Sequence, residues 1–485
     1  YQGCNHMNYK MIRYFFGIML MLEAAFMLIP TATALIYSED ITPFIITTGI
    51  LLFFGIPSVA FKPNNTRIYA KEGFICVAAA WILLSLFGAL PFVISGAIPN
   101  YIDAFFETVS GFTTTGATIL CEIESLPRGI LLWRSFTHWF GGMGVLVFML
   151  ALFPSGDGQT IHLMRAEVPG PVKGKLVPKI KRTAMILYGI YFALTVVQTV
   201  ALLCTGMPFY DSLVNSFATA GTGGFSVKNQ SIMSYENPAA EWVIAVFMFI
   251  FGVNFNLFYL MLVKHIREVL KNEELRSYLI ICLVATGAVA LSTYKTFDGF
   301  EHCLRTSFFQ VTSIISTTGF STTDFNLWHI FPKTVLTVLM FIGACAGSTA
   351  GGLKVSRVII LFKSIRREIK HMLKPRSVNI IRIDGEVIPE ENVKAALNYF
   401  ALYIVLIILS TVLISVDGLS METNITAAVT CINNVGPGFD TVGPMGNFST
   451  YSAFSKIVLS LDMLLGRLEI MPMFILFSPM AWKKR

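Results

Sequence analysis

Apolar runs of about twenty residues, separated by short polar or glycine-rich segments, follow one another along most of the chain. A helix of that length covers the roughly 30 Å of hydrocarbon in a bilayer, and the chain has room for about ten such crossings. The first two runs, 11–36 and 41–61, predict an N-terminal helix pair. After them one layout recurs four times, and such repetition outranks any single motif. Each unit holds a long apolar run, a segment of three or four turns, a loop, and a second apolar run. The short segments, 101–112, 209–220, 299–315 and 421–433, are too brief to span and read as re-entrant helices.

The loops that follow them resemble one another. They read Thr113-Thr114-Thr115-Gly116-Ala117-Thr118, Gly221-Thr222-Gly223-Gly224-Phe225-Ser226, Ser316-Thr317-Thr318-Gly319-Phe320-Ser321 and Asn434-Val435-Gly436-Pro437-Gly438-Phe439. The fourth is the most divergent, and either Gly436 or Gly438 can stand in register with Gly116, Gly224 and Gly319. With Gly436 the four glycines lie 108, 95 and 117 residues apart, which fits two crossings and a connection per unit. Non-helical backbone at membrane depth is tolerated only where it is buried in protein or lines water, so four such loops imply an aqueous path where they meet. Helix C-termini directed inward and carbonyls freed from helical bonds replace the hydration shell of a cation. Glycine turns its carbonyl toward the axis without steric cost. One short glycine stretch is ordinarily a turn or a packing contact; four at equivalent positions are not.

Composition and charge agree with this picture. Hydrophobic residues make up 54% of the chain and charged ones 13%, with a mean hydropathy of +0.67. Lysine and arginine collect between alternate apolar runs: Lys10 and Arg13; Lys62, Arg67 and Lys71; six from Arg165 to Arg182; four from Lys264 to Arg276; nine from Lys354 to Arg382; and Lys483, Lys484 and Arg485. These clusters hold three quarters of the 36 basic residues. All fall on one side if each intervening block crosses twice, so the positive-inside rule places both termini in the cytoplasm. The net charge of +7 therefore reflects topology and not nucleic-acid binding. Eight cysteines lack CxxC spacing, seven histidines make no HExxH, and neither GxSxG nor a Walker sequence occurs; nothing argues for an enzyme, a zinc site or an organic cofactor. Residues 1–6 read as a tag remnant, with Met7 as the natural start.

The loop Ser110–Thr118, the stretch His138-Trp139-Phe140-Gly141-Gly142-Met143-Gly144, the loop Ser316–Ser321, the run Gly343–Arg357 and Asn433-Asn434 before Val435-Gly436-Pro437-Gly438 resemble the Trk/Ktr/HKT superfamily of potassium transporters. Its TrkH branch is favoured by the extra N-terminal pair. The resemblance implies an all-α polytopic fold in which an N-terminal pair (7–66) precedes four potassium-channel-like helix–pore-loop–helix repeats (67–180, 181–272, 273–388 and 389–485) around a central pore. It implies potassium at a filter formed by Thr114, Thr115, Gly116, Thr222, Gly223, Gly224, Thr317, Thr318, Gly319, Asn434, Val435, Gly436, Pro437 and Gly438. Gly436 is the expected fourth filter glycine and Gly438 the alternative. Pro437 and Asp440 depart from the Thr-rich pattern, so a filter without fourfold symmetry is expected. The resemblance further implies a homodimer in the bacterial inner membrane and cytoplasmic TrkA-type nucleotide-binding subunits docked near 357–382.

Glycine and Ser/Thr are dense over 343–352, where the helix after the third loop should continue. Gly343, Gly347, Gly351 and Gly352, with Lys354 beyond, are read as an intramembrane gating loop under the filter. A charge inside an apolar run must pair or face water; Arg467 is expected to face the pore, with carbonyls of this loop, Asp462 or Glu469 as partners. The function expected is passive, gated potassium uptake; the alternative is a secondary transporter coupling potassium to sodium or protons. Coupling calls for a buried carboxylate, whereas Asp103, Glu107, Asp211 and Asp440 all appear toward the outer mouth in the sequence.

Overall fold

The computed structural model describes residues 8–61, 63, 70–144, 180–377 and 379–479. Residues 1–6, Lys62, Arg67, most of the cluster 165–182 and the basic C-terminus lie outside the described residues. Among the described residues six helices are long and apolar enough to cross a membrane: Tyr9–Ile36, Thr42–Ala60, Glu72–Ile94, Arg182–Cys204, Glu273–Thr296 and Glu390–Asp417. Together they make the chain a multi-pass membrane protein. The first two are the N-terminal pair. Their apolar faces pack on each other and on repeat 1, where Met19, Met27, Trp81, Phe106, Phe112 and Trp133 share one core. The other four each open a repeat.

Each long helix leads to a short one: α1 (Tyr101–Phe112), α2 (Phe209–Gly221), α3 (Phe300–Ile315) and α4 (Met421–Asn433). Their starts follow local capping chemistry. Asn100 caps α1 through the N–H of Ile102, and Ser420 caps α4 through that of Thr423. All four are almost wholly buried toward their C-terminal ends.

The second helices of the repeats differ from expectation. The sequence predicts a break only in repeat 3, yet all four stop or bend. They are α5 (Arg128–Gly142), α6 (Pro238–Phe251), α7 (Ile330–Phe341) and α8 (Ala453–Arg467). After α6 the chain turns by 91° into Phe255–Leu262. Asn254 drives that turn: it leaves helical geometry and its side chain caps the next helix through the N–H of Asn256. After α7 comes the glycine-rich stretch and then α9 (Val355–Leu373), the basic helix.

Among the described residues the one sheet is a two-stranded hairpin, Arg382–Ile383 paired with Glu386–Val387. Its turn, Asp384-Gly385, has φ of 54° and 82°, the type I′ geometry that Asp-Gly favours.

Candidate functional site: a ring of four loops

The four short helices end in one way. The N–H groups of Thr114, Thr222, Thr317 and Asn434 reach the carbonyl three residues back; those of Thr115, Gly223, Thr318 and Val435 reach the carbonyl five back, at 2.9 Å in every repeat. This is a Schellman ending, whose left-handed residue is usually glycine. Here that residue is threonine three times and asparagine once, with φ of 56°, 57°, 57° and 55°. A β-branched residue in this region is strained, by about 1–3 kcal/mol, and such strain persists only where the surroundings impose it. Two residues on, Gly116, Gly224, Gly319 and Gly436 take φ of 82°, 77°, 83° and 100°.

The glycines close a ring. A Cβ on Gly116 would strike the carbonyl oxygen of Gly223, one on Gly224 that of Thr318, one on Gly319 that of Val435, and one on Gly436 that of Thr115. Each loop thus presents to the previous glycine the carbonyl that precedes its own, and the fourth returns to the first. The register also separates the two candidates in repeat 4. Gly436 holds the ring position, whereas Gly438 donates its N–H to Val442 at 2.7 Å and packs against the side chains of Thr426 and Val442. Pro437 lies against Gly319, which makes the third and fourth loops meet differently from the rest.

Polar side chains surround the ring. Thr115 Oγ1 bonds Thr113 Oγ1 at 2.8 Å and accepts from Asn434 Nδ2 at 2.9 Å, while Thr318 repeats the first contact with Ser316 at 2.7 Å. Thr114 Oγ1 and Asn434 Oδ1 are buried without a hydrogen-bond partner among the described residues. Buried polar atoms left so call for an ion or water. The donor set is oxygen from carbonyls, hydroxyls and one amide. Among the described residues no cluster of His, Cys, Asp or Glu could hold a resident metal.

Sequence reading missed what stands behind the ring. Glu107 of α1 and Arg134 of α5 form a buried ion pair at 2.6 Å. Glu107 also accepts from Thr118 Oγ1 at 2.9 Å and Ile119 N at 3.0 Å, and Arg134 donates to Ser226 O at 3.1 Å with its guanidinium 3.5 Å from the Phe225 ring centre. One pair therefore fixes the outgoing limbs of two loops. His138 Nδ1 bonds Gly111 O at 2.7 Å, and its ring fills the place of a side chain on Gly223. The signal was available: Arg134, like Arg467, interrupts an apolar run.

The acids predicted at the outer mouth divide. Asp103 pairs with Lys456 at 2.7 Å and Asp211 accepts from Tyr235 at 3.0 Å. Asp440 accepts from Ser420 at 2.5 Å and Thr423 at 2.8 Å, bonds that hold its carboxyl below the ordinary aspartate range. Glu107 instead lies buried behind the loops. Five further carboxylates among the described residues, Glu23, Glu72, Glu241, Glu274 and Asp462, are buried as well, contrary to a distribution confined to the mouth.

Under the ring, residues 342–354 leave the helix and fold into the protein. Gly343 N bonds Leu353 O at 2.8 Å and Val355 N bonds Ala344 O at 3.1 Å, which zips the neck of a loop. Gly351 N donates to Thr317 Oγ1 at 2.8 Å, and a Cβ on Gly351 would stand 2.6 Å from Asn433 O. The loop thus abuts the ends of α3 and α4. Gly343 packs on the carbonyl of Gly351, Gly347 lies against Asn254 with φ of 73°, and Gly352 has φ of 69°. Lys354 turns back to the carbonyls of Ala350 and Gly351. Arg467 reaches Thr349 O at 2.7 Å, Gly141 O at 2.6 Å and Gly142 O at 2.7 Å, so it joins the loop to the end of α5. The other partners considered for it are engaged elsewhere: Glu469 pairs with Arg357 at 2.6 Å and Asp462 accepts from Ser410 at 2.7 Å.

Known proteins resemble this chain along nearly its whole length. The Trk system potassium uptake protein TrkH of Salmonella typhimurium is 36% identical over 487 residues, covering 99% of this chain and 100% of its own. TrkG of Escherichia coli, of the same system, is 31% identical over 489 residues, with 99% and 100% covered. The crystal structure of the potassium transporter TrkH from Vibrio parahaemolyticus matches with a TM-score of 0.87 at 32% identity, over 98% of this chain and 100% of that one. The TrkH family model, described as cation transport protein, matches residues 42–484, and with these relatives it shows that the chain belongs to the TrkH family.

Proposed function

We propose that this protein takes up potassium through a gated, channel-like pore whose filter is the ring of Gly116, Gly224, Gly319 and Gly436 with the carbonyls of Thr115, Gly223, Thr318 and Val435. The closed cycle of glycine-to-carbonyl contacts carries the reading. Neutral carbonyls held by four fixed helix ends replace a hydration shell at little cost in reorganisation and bind a monovalent ion loosely enough to release it. The names of the relatives, potassium uptake proteins, supply the ion.

In this reading the loop 343–352 is the gate. It blocks the path below the ring, with Lys354 and Arg467 adding positive charge where the cation must pass. The repeats divide at 67–180, 181–272, 273–388 and 389–485 after the pair 7–66. The basic clusters put both termini in the cytoplasm of a bacterium, beneath its inner membrane. A homodimer with TrkA-type nucleotide-binding subunits on that face completes the proposal.

The coupled alternative has one observation behind it. Glu23 is 1% exposed in the first helix, and neither carboxylate oxygen has a hydrogen-bond partner among the described residues. Isotope flux in liposomes holding the purified protein separates the two. Downhill potassium flux that ignores imposed sodium and proton gradients supports the pore; flux that requires either gradient refutes it.

A further inference from the structure

The intramembrane loop is held by a residue outside it, and the proposed gate gives that hold a consequence. We infer that Glu274 is the positioning residue that keeps the loop in its closed shape, and that the cytoplasmic hairpin 382–387 controls Glu274 through the start of its helix. The inference rests on the reading of 343–352 as the gate.

Glu274 lies in the first turn of the helix Glu273–Thr293 and is 7% exposed. Its Oε1 accepts two backbone N–H groups, from Ala346 at 2.7 Å and from Ser356 at 3.0 Å. Ala346 is on the limb that enters the loop; Ser356 is in the first turn of α9, just after the loop ends. Neither donor has a helical partner, because the first is in irregular backbone and the second is among the open N–H groups of a helix start. Lys354, at the capping position of α9, provides no side-chain cap. A carboxylate from another helix fills that place, and a negative charge is favourable at a helix N-terminus. One oxygen atom thus staples entry to exit, and a loop fastened at both limbs cannot swing aside while the staple holds.

The residue before it faces the other way. Glu273 N donates to Asp384 Oδ1 at 2.6 Å and Asn272 Nδ2 to Asp384 Oδ2 at 3.1 Å, so the hairpin turn caps this helix from the cytoplasmic side. Lys363 of α9 pairs with Glu273 and donates to Arg382 O at 2.7 Å. Residues 273 and 274 are consecutive on one rigid turn. Displacing the hairpin therefore displaces the carboxylate that holds the loop. The hairpin is the exposed end of this linkage, where a docked cytoplasmic protein can act on it.

Cys345, buried within the loop beside Ala346, provides the readout. In the full chain with the other seven cysteines replaced, the rate at which a small cationic methanethiosulfonate modifies Cys345 reports whether the loop is released. E274Q keeps the shape but loses the charge. We expect it to raise the rate about tenfold, the factor that corresponds to losing about one charge-assisted hydrogen bond. E274D should restore most of the protection, and D384A should raise the rate by a smaller factor. An unchanged rate in E274Q overturns the role of Glu274, and an unchanged rate in D384A overturns that of the hairpin. If E274Q does not yield monodisperse protein, E274D and the exposed-site variant D384A carry the same test. Potassium flux in the same liposomes separates this inference from its premise. Faster modification with unchanged flux upholds the staple and refutes the gate; faster modification with faster flux upholds both.

Discussion

Gly436→Ala and Gly438→Ala, two residues apart, should behave differently, because only one glycine belongs to the ring. At Gly436 φ is 100°, a conformation that costs an L-residue about 1–2 kcal/mol. A Cβ there would also stand 2.7 Å from Thr115 O, against an ordinary contact of 3.4 Å or more. That oxygen must withdraw by roughly 0.7 Å, since close-packed surroundings leave little other relief. The displaced atom is one of the four carbonyls of the proposed filter. A change of about 1.4 kcal/mol in the relative binding of potassium and sodium alters preference tenfold, and a fraction of one carbonyl contact is of that size. At Gly438 the Cβ would meet Thr426 Oγ1 at 2.8 Å and Val442 Cγ2 at 2.9 Å, atoms of stiff β-branched side chains away from the ring. There the expected cost is about 1–3 kcal/mol of stability with ion preference kept. The assay is competition of sodium against labelled potassium uptake in liposomes, with thermal melts of both variants. A loss of preference in Gly438→Ala but not in Gly436→Ala would refute the register on which the ring is built.

Arg467→Gln removes the charge from three carbonyl contacts, each worth about 1.5–3 kcal/mol when charge-assisted, and should raise potassium flux at least several-fold in liposomes; unchanged flux speaks against a blocking role. Arg134→Met leaves Glu107 buried without its cation and should cost about 3–5 kcal/mol, seen as a lost thermal transition, while the double variant with Glu107→Gln recovers part of it. Glu23→Leu replaces a buried carboxylate that lacks hydrogen-bond partners among the described residues and should be neutral or stabilising by about 1–3 kcal/mol in a detergent melt. If Glu23→Leu also abolishes proton-dependent flux, the coupled alternative gains and the passive pore fails.

Much of this protein was legible in its sequence. The starts and ends of the short helices were readable to within a residue, because a segment of three or four turns between apolar runs has no other place in a bilayer. The loops were found by repetition, since Thr114, Thr222 and Thr317 precede their glycines by the same two positions. The interruption at 343–352 was visible because glycine at that density disfavours a helix. The breaks after Gly142, Phe251 and Arg467 were not, because one to three glycines and an asparagine do not stop a helix by local preference alone. Nor were the partners of Arg134, which lie 27 and 92 residues away at Glu107 and Ser226.

The sequence by itself determined the multi-pass class, the fourfold layout and the identity of the ring residues in three repeats, since these follow from apolar length, spacing and the φ freedom of glycine. Only the tertiary structure decided between Gly436 and Gly438, joined Arg467 to Thr349 and Gly141, and set Glu274 against both limbs of the loop. Such contacts depend on which distant segments the packing brings within 3 Å, and no local pattern along the chain encodes that distance.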